Sequence, residues 1–141
     1  MPDPHGLQRF LTAQEPLLAQ ARRELSEGHK RSHWMWFMFP QIAGLGGSEM
    51  ARHYAIGSLA EARAYMAHPT LGPRLRDLTA VVNNVQGRSA HAIFGSPDDM
   101  KFHACVTLFA RAAPEAPEFP AALDKYFGGV PHAGTMERLK G

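Results

Sequence analysis

Apolar residues recur three and four positions apart along most of the chain, the spacing of helices that bury one face. Leu7, Phe10 and Leu11 start the pattern, and Leu17, Leu18, Ala21 and Leu25 continue it after Pro16. Proline is tolerated in a first turn, where its missing N–H has no helical acceptor. The spacing predicts one short and one longer helix, or a single kinked one, ending at Gly28. Ser58 and Glu61 stand in capping-box register ahead of Leu59, Ala62 and Met66, and Pro69 stops that helix by His68. Leu71, Leu75, Leu78, Val82 and Val85 step by four, three, four and three, a helix expected to be capped by Thr70 and closed by Gly87. Residues 89–94 read as a short helical turn. The run Gly95-Ser96-Pro97-Asp98-Asp99 then supplies a cap, a proline at the first position and two carboxylates at the positive end of a helix dipole. Residues 100–112 are apolar around much of a helical circumference, through Phe102, Ala104, Cys105, Val106, Leu108 and Phe109, which predicts a central buried helix near 97–112. Phe119, Leu123, Tyr126 and Phe127 mark a further helix ended by Gly128-Gly129, and Thr135 is expected to start a short last one. No strand-like alternation of useful length and no internal repeat appears. The expected architecture is all-α, a single compact domain of about six to eight helices.

One stretch departs from this periodicity. Residues 30–48 read KRSHWMWFMFPQIAGLGGS, with both tryptophans among six consecutive large apolar residues at 34–39. Such a run has no usable period, so it fits either a helix over 33–39, capped by Ser32 and stopped by Pro40, or a buried strand. Methionine and the neighbouring helical signals favour the helix. Ser48 then opens a segment over 49–56. Packed in a core, the apolar run would hold the polar groups beside it at the core's edge.

Composition narrows the functional classes. A chain of 141 residues that is 45% hydrophobic and 20% charged fits one soluble globular domain, and nothing in it suggests disorder. The formal charge is only +2, from 15 basic and 13 acidic residues, and the arginines are spread from Arg9 to Arg138. Nucleic-acid modules cluster their cations on one face and interleave aromatics, so nucleic acid is an unfavoured partner. The single cysteine, Cys105, forms no internal disulfide, which fits a reducing compartment. The residues MPDPHGLQRF lack the pattern of a signal peptide, and no apolar run approaches the roughly 20 residues of a membrane span. A cytoplasmic protein, monomer or homodimer, is the expectation.

The candidate chemistry is sparse. His29 and His33 are four apart, but HKRSH lacks the acidic residue of zinc-binding helices, Gly28 interrupts the helix, and Lys30 and Arg31 oppose a metal; no metal and no cofactor is expected. The glycine-rich run 44–48 could converge amides on a phosphate, though the strand and downstream residues of the nucleotide-binding signatures are missing. Asp98 and Lys101, three apart, suit a first-turn ion pair. Cys105 sits mid-helix on a core face, where a thiol is inert.

The strings SHWMWFMFPQIAGLGGS, YAIGSLAEARAYMAHPTLGPRL, IFGSPDDMKFHACVTLF and FPAALDKYFGG resemble, in order and over nearly the whole chain, the successive blocks of the bacterial family called domain of unknown function 1810. The resemblance implies a mostly α-helical single domain and no established activity. It also marks polar positions at Lys30, Ser32, His33, Gln41, Ser48, Tyr54, His68, Arg74, Asp98 and Lys101. HACVTLF departs from the small, serine-containing run usual in its block, which removes His103 and Cys105 from anything the family shares.

Three functional readings follow. The leading one is a pocket beside the Trp-rich block, built from Lys30, Ser32, His33, Trp34, Trp36, Gln41, Gly46, Ser48 and Lys101, taking an anionic, nucleotide-like small molecule. The second is a hydrolase or transferase acting there on a nucleotide or sugar-phosphate, with His33 or Asp98 as acid or base. The third is a helical interaction module that presents an exposed Trp/Met/Phe patch.

Overall fold

The computed structural model describes residues 3–140. Ten helices occur among them: α1 Gln8–Gln14, α2 Leu18–Ser26, α3 Met35–Met38, α4 Glu49–His53, α5 Leu59–Ala67, α6 Leu71–Asn83, α7 Ala90–Phe94, α8 Asp98–Ala112, α9 Glu118–Phe127 and α10 Ala133–Leu139. The domain is all-α, as the periodicity predicts. Its helices outnumber the expected six to eight because the short pieces α3, α4 and α7 are separate elements. An isolated parallel bridge between Ile42 and Ile56 is the one extended pairing among the described residues.

Helix α8 is the centre. Phe102, Ala104, Cys105, Val106, Thr107, Leu108, Phe109 and Ala112 are buried along it, and α5, α7, α9 and α10 pack around it. Helix α6 lies against α2, α5 and α9, and α1 against α3. Aromatic rings tie these layers into one core. Phe39 meets Phe94 at 5.8 Å and Phe102 at 5.3 Å, both edge-on, while Phe94 stacks on Phe102 at 4.7 Å. On the other side of the core Tyr65 stands edge-on to Phe10 at 5.1 Å and tilts against Phe109 at 5.3 Å. Edge-to-face and offset pairs at these distances add to the burial of the rings themselves.

Two of the expected caps, at Ser48 and Ser58, form as spaced, and Ser89 adds a third. The hydroxyls of Ser48, Ser58 and Ser89 accept from the amides of Ala51, Glu61 and Ala92. Glu61 reaches back to the Gly57 amide at 3.1 Å, one residue before the usual capping-box partner, and its second oxygen accepts from Arg9 at 3.0 Å. Arg9 also donates to the carbonyls of His5, Gly6, His53 and Ala55, so a single guanidinium ties the start of α1 to the segment between α4 and α5.

Other expectations are corrected. Ser32 caps nothing; α3 begins at Met35 after Trp34, which makes no side-chain cap, because the serine hydroxyl is engaged by Glu24. Thr70 makes no side-chain cap to α6, since His68 Nδ1 already accepts from the amides of Thr70 and Leu71 at 3.1 and 3.2 Å. The segment after Ser48 is helical only to His53, and Ile56 turns into the bridge with Ile42. Pro97 occupies the cap position of α8 and not its first turn, and α10 starts at Ala133, capped by His132 and not by Thr135. At the far end of α6 the Lys125 ammonium and the Tyr126 hydroxyl of α9 donate to the carbonyls of Asn83, Val85 and Val82, a cation at the negative end of the helix dipole.

Candidate functional site

The edge of the aromatic block is organised by a residue the motif search passes over. Glu24, on the inner face of α2, is buried, and its carboxylate accepts from the Ser32 hydroxyl at 2.7 Å, the Arg31 amide at 2.8 Å, the Ser32 amide at 3.1 Å, the Trp34 indole at 3.0 Å and Gln20 at 3.0 Å. Burial alone would raise its pKa. The bonds from Ser32, Arg31, Gln20 and Trp34 outweigh that and hold it down at about 2. The signal was present in the sequence: Glu24 lies between Ala21 and Leu25 on the stripe that continues the apolar face of α2, where a charge needs partners. Gln14 repeats this on α1. It is buried in the stripe of Phe10, donates to Phe37 O at 2.8 Å and to the Tyr65 hydroxyl at 3.0 Å, and accepts from Arg74 at 3.3 Å.

With 31–34 fixed on Glu24, Lys30 turns toward α8. Its ammonium lies 2.9 Å from Asp98 Oδ2, donates to Ser32 O, and sits 5.0 Å over the Trp34 ring. The other carboxylate oxygen of Asp98 faces Lys101 at 3.2 Å, and the Lys101 ammonium stands 5.0 Å over the Trp36 ring. Asp98 therefore bridges two ammoniums and leaves one surplus positive charge. The Lys30 side chain is only 8% exposed and the Lys101 side chain 21%, so that surplus is offered to solvent at Lys101.

Lys101, Trp36, Phe39, Gln41, Ala51 and Tyr54 line one hollow. Its interior offers about 10 Å³ to the centres of water-sized molecules, within about 210 Å³ of atom-free space that includes solvent at its mouth. The interior has room for one water. Among the described residues the Gln41 carboxamide makes no side-chain hydrogen bond; its backbone carbonyl accepts from Ile56 N. Gly46 lies alongside: a Cβ there would come within 2.7 Å of Ala51 Cβ and 3.5 Å of Gln41 Nε2. The wall formed by Ala51 and Tyr54 belongs to α4 and its end. That five-residue helix has no buried residue.

The structure thus brings Trp36, Gln41 and Lys101 together with Gly46 beside them, and Lys30 joins through Asp98. Trp34 is fully buried with its indole N–H on Glu24, so it is a core residue and no pocket wall. Ser32 faces Glu24, His33 and Ser48 are exposed, and none of the three lines the hollow. Ala51 and Tyr54 were missed as wall residues, because nothing local to 49–56 shows which side of α4 meets Trp36. Burial pushes the Cys105 thiol well above its ordinary range, consistent with an inert core residue. Among the described residues no three metal-ligating side chains gather, and no helix is long and apolar enough to cross a membrane.

The model of the family described as protein of unknown function (DUF1810) matches residues 4–139. The chain belongs to that family. It is also similar to a solved structure, the conserved hypothetical protein Rv1873 from Mycobacterium tuberculosis, at 50% identity over 99% of each chain with a TM-score of 0.97. No curated protein matches the chain. Of the ten polar positions that the DUF1810 resemblance marks, Ser32, His33 and Ser48 stand apart from the hollow, and the other seven fall into two groups. Gln41, Tyr54 and Lys101 line the hollow, with Asp98 and Lys30 joined to it through Lys101, whereas His68 caps α6 and Arg74 pairs with Gln14 and Glu15 on the other side of the core.

Proposed function

We propose that this member of the DUF1810 family is a cytosolic protein that binds a small anion bearing a flat ring, nucleotide-like in character, at the hollow between Trp36 and Tyr54. The observation that carries the reading is the meeting of a partly exposed side chain, Lys101 with its ammonium over Trp36, with the free carboxamide of Gln41 in one concavity. The ammonium would take the anionic group, the carboxamide a donor–acceptor edge, and Trp36 with Tyr54 the faces of a ring. The enclosed space holds only about one water, so a ring enters by displacing the α4 wall. That helix buries no side chain of its own; its hold on the core runs through Tyr54, tilted against Phe10 and Phe37, and through Arg9, which donates to His53 O. The single cysteine, with no disulfide to keep, supports the compartment.

The enzymatic reading gains less support. Both oxygens of Asp98 are held by ammoniums, and His33 is exposed away from the hollow, so neither is poised as an acid or base. The interaction-module reading loses its motive. Trp34, Met35, Phe37, Met38 and Phe39 are all buried within the protomer.

Isothermal titration against adenosine monophosphate, uridine monophosphate, ribose 5-phosphate and inorganic phosphate tests the proposal. Binding of at least one nucleotide is expected, weakened about tenfold in Lys101→Ala, the loss of one charge-assisted hydrogen bond. Silence from all four, or equal binding by the variant, would refute it.

A further inference from the structure

On the far side of the 44–48 loop from the hollow, helix α10 is held by an arrangement that depends on the protonation of a histidine. The His132 ring caps it: Nδ1 lies 3.1 Å from the Thr135 amide, which donates to it, and 3.0 Å from the Thr135 hydroxyl. A ring nitrogen accepts only while it carries no proton. Protonated, it would present an N–H to the N–H of Thr135, and the cap would be lost.

The surroundings oppose the charged ring. His132 stands edge-on to His103 of α8, 5.3 Å between centroids. His103 is itself stacked on Phe127 at 3.9 Å, with Nε2 2.7 Å from Val130 O. The His132 amide donates to Thr107 on the same face of α8 at 2.9 Å. The other charged groups nearby are Arg111 of α8, which reaches Met136, Asp124 of α9, beside Gly129, and Glu137, Arg138 and Lys140 of α10, of which Glu137 pairs with Lys140. Among the described residues no carboxylate contacts the His132 ring. Burial, and then the neighbouring His103, lower its pKa from the ordinary 6.5. The docked helix is therefore favoured by neutral His132. Its contribution is complete above 6.5 and fades as the pH falls below that value.

What α10 holds is the glycine-rich loop. Arg138 donates to Gly44 O at 2.9 Å, and Gly134 lies so close to Leu45 that a Cβ on it would come within 3.1 Å of Leu45 Cδ2. We propose that α10 is a pH-sensitive latch: with His132 neutral the helix is capped and clamps the 44–48 loop, and with His132 protonated helix and loop loosen together. Because Gly46 in that loop adjoins Gln41 and Ala51, acidification loosens one side of the hollow. The inference is independent of what the hollow binds.

Amide hydrogen exchange of the full chain, corrected for the intrinsic effect of pH, tests it at about pH 7.5 and about pH 5, on either side of the histidine range. Residues 133–139 and 44–47 are expected to open about fivefold more at the lower pH, the size of a lost helix cap. The amides of α8 should stay unchanged. In His132→Asn, which caps without titrating, the ratio between the two conditions should be close to one. Should that variant not fold, His103→Gln serves instead: without the neighbouring imidazole a protonated His132 opposes the docked helix less, and the loosening at the lower pH is expected to be smaller than in the parent. A wild-type ratio of one, equal loosening in His132→Asn, undiminished loosening in His103→Gln, or loss of α8 protection in parallel would overturn the latch.

Discussion

Replacement of Glu24 by alanine is expected to lower the free energy of unfolding by about 3 kcal/mol, through loss of a charged acceptor shared by one fully buried and four half-buried donor contacts. Five hydrogen bonds end on this carboxylate, and one of the donors is the indole N–H of the fully buried Trp34. Alanine leaves that N–H and the amides of Arg31 and Ser32 without a partner, so the cost is that of unsatisfied donors and not of the net bonds alone. Glu24→Gln keeps the volume but directs an NH2 group at a donor, and about half the loss is expected. Urea titration followed by tryptophan fluorescence reads both. A loss below about 1 kcal/mol in Glu24→Ala would mean that the 30–34 segment does not rest on this carboxylate. The same residue sets an acid limit. Its pKa is held down at about 2 from an ordinary 4.5, so its stabilisation is complete above 4.5 and is lost as the pH falls toward 2. The alanine variant should therefore show a flatter dependence of stability on pH in that window.

The second large effect is expected at Gly72, where propensity and packing point in opposite directions. Gly72 is the second residue of α6, and on an exposed helix alanine would be preferred there by about 1 kcal/mol. A Cβ at this position would lie 2.1 Å from Met66 O and 3.0 Å from Met66 C, backbone atoms of the last turn of α5. Neither can yield without separating the two helices, which would disturb Tyr65 and its bond to Gln14. Overpacking against backbone outweighs the propensity, and Gly72→Ala should lose about 3 kcal/mol. In thermal unfolding that is a fall of roughly 10 °C. A variant as stable as the parent would show that α5 and α6 approach each other less closely.

Helices with a clean stripe were legible in the sequence: α6, α8 and α9 follow their apolar spacing, and Ser48 and Ser58 cap where local spacing places them, whereas α5 buries Tyr65 with Ala62 and leaves the expected Leu59 and Met66 half-buried. The failures share one cause. Ser32 and Thr70 have the spacing of caps, but each competes with a partner the local sequence does not reveal as such, Glu24 for the serine hydroxyl and His68 for the amides at the start of α6. The candidate site divides in the same way. Lys101 and Gln41 flank apolar runs, so they were bound to emerge at the core's edge, and they meet at the hollow. Within the run 34–39, however, no period distinguishes the ring that faces outward. Trp34 turned inward to Glu24 and Trp36 outward to Lys101, a choice made by a carboxylate on α2 and an ammonium on α8. Glu24 itself was readable, as a charge on an inner helical stripe.

The most direct measurement is the map of amide and side-chain shifts in 15N-labelled protein titrated with the same two nucleotides, ribose 5-phosphate and phosphate. The account predicts that a binding compound moves the Trp36 indole N–H, the Gln41 carboxamide and the amides of α4 together, while the Trp34 indole N–H, bound to Glu24, stays nearly still. Shifts confined to another face of the domain, or none with any of the four, would contradict it.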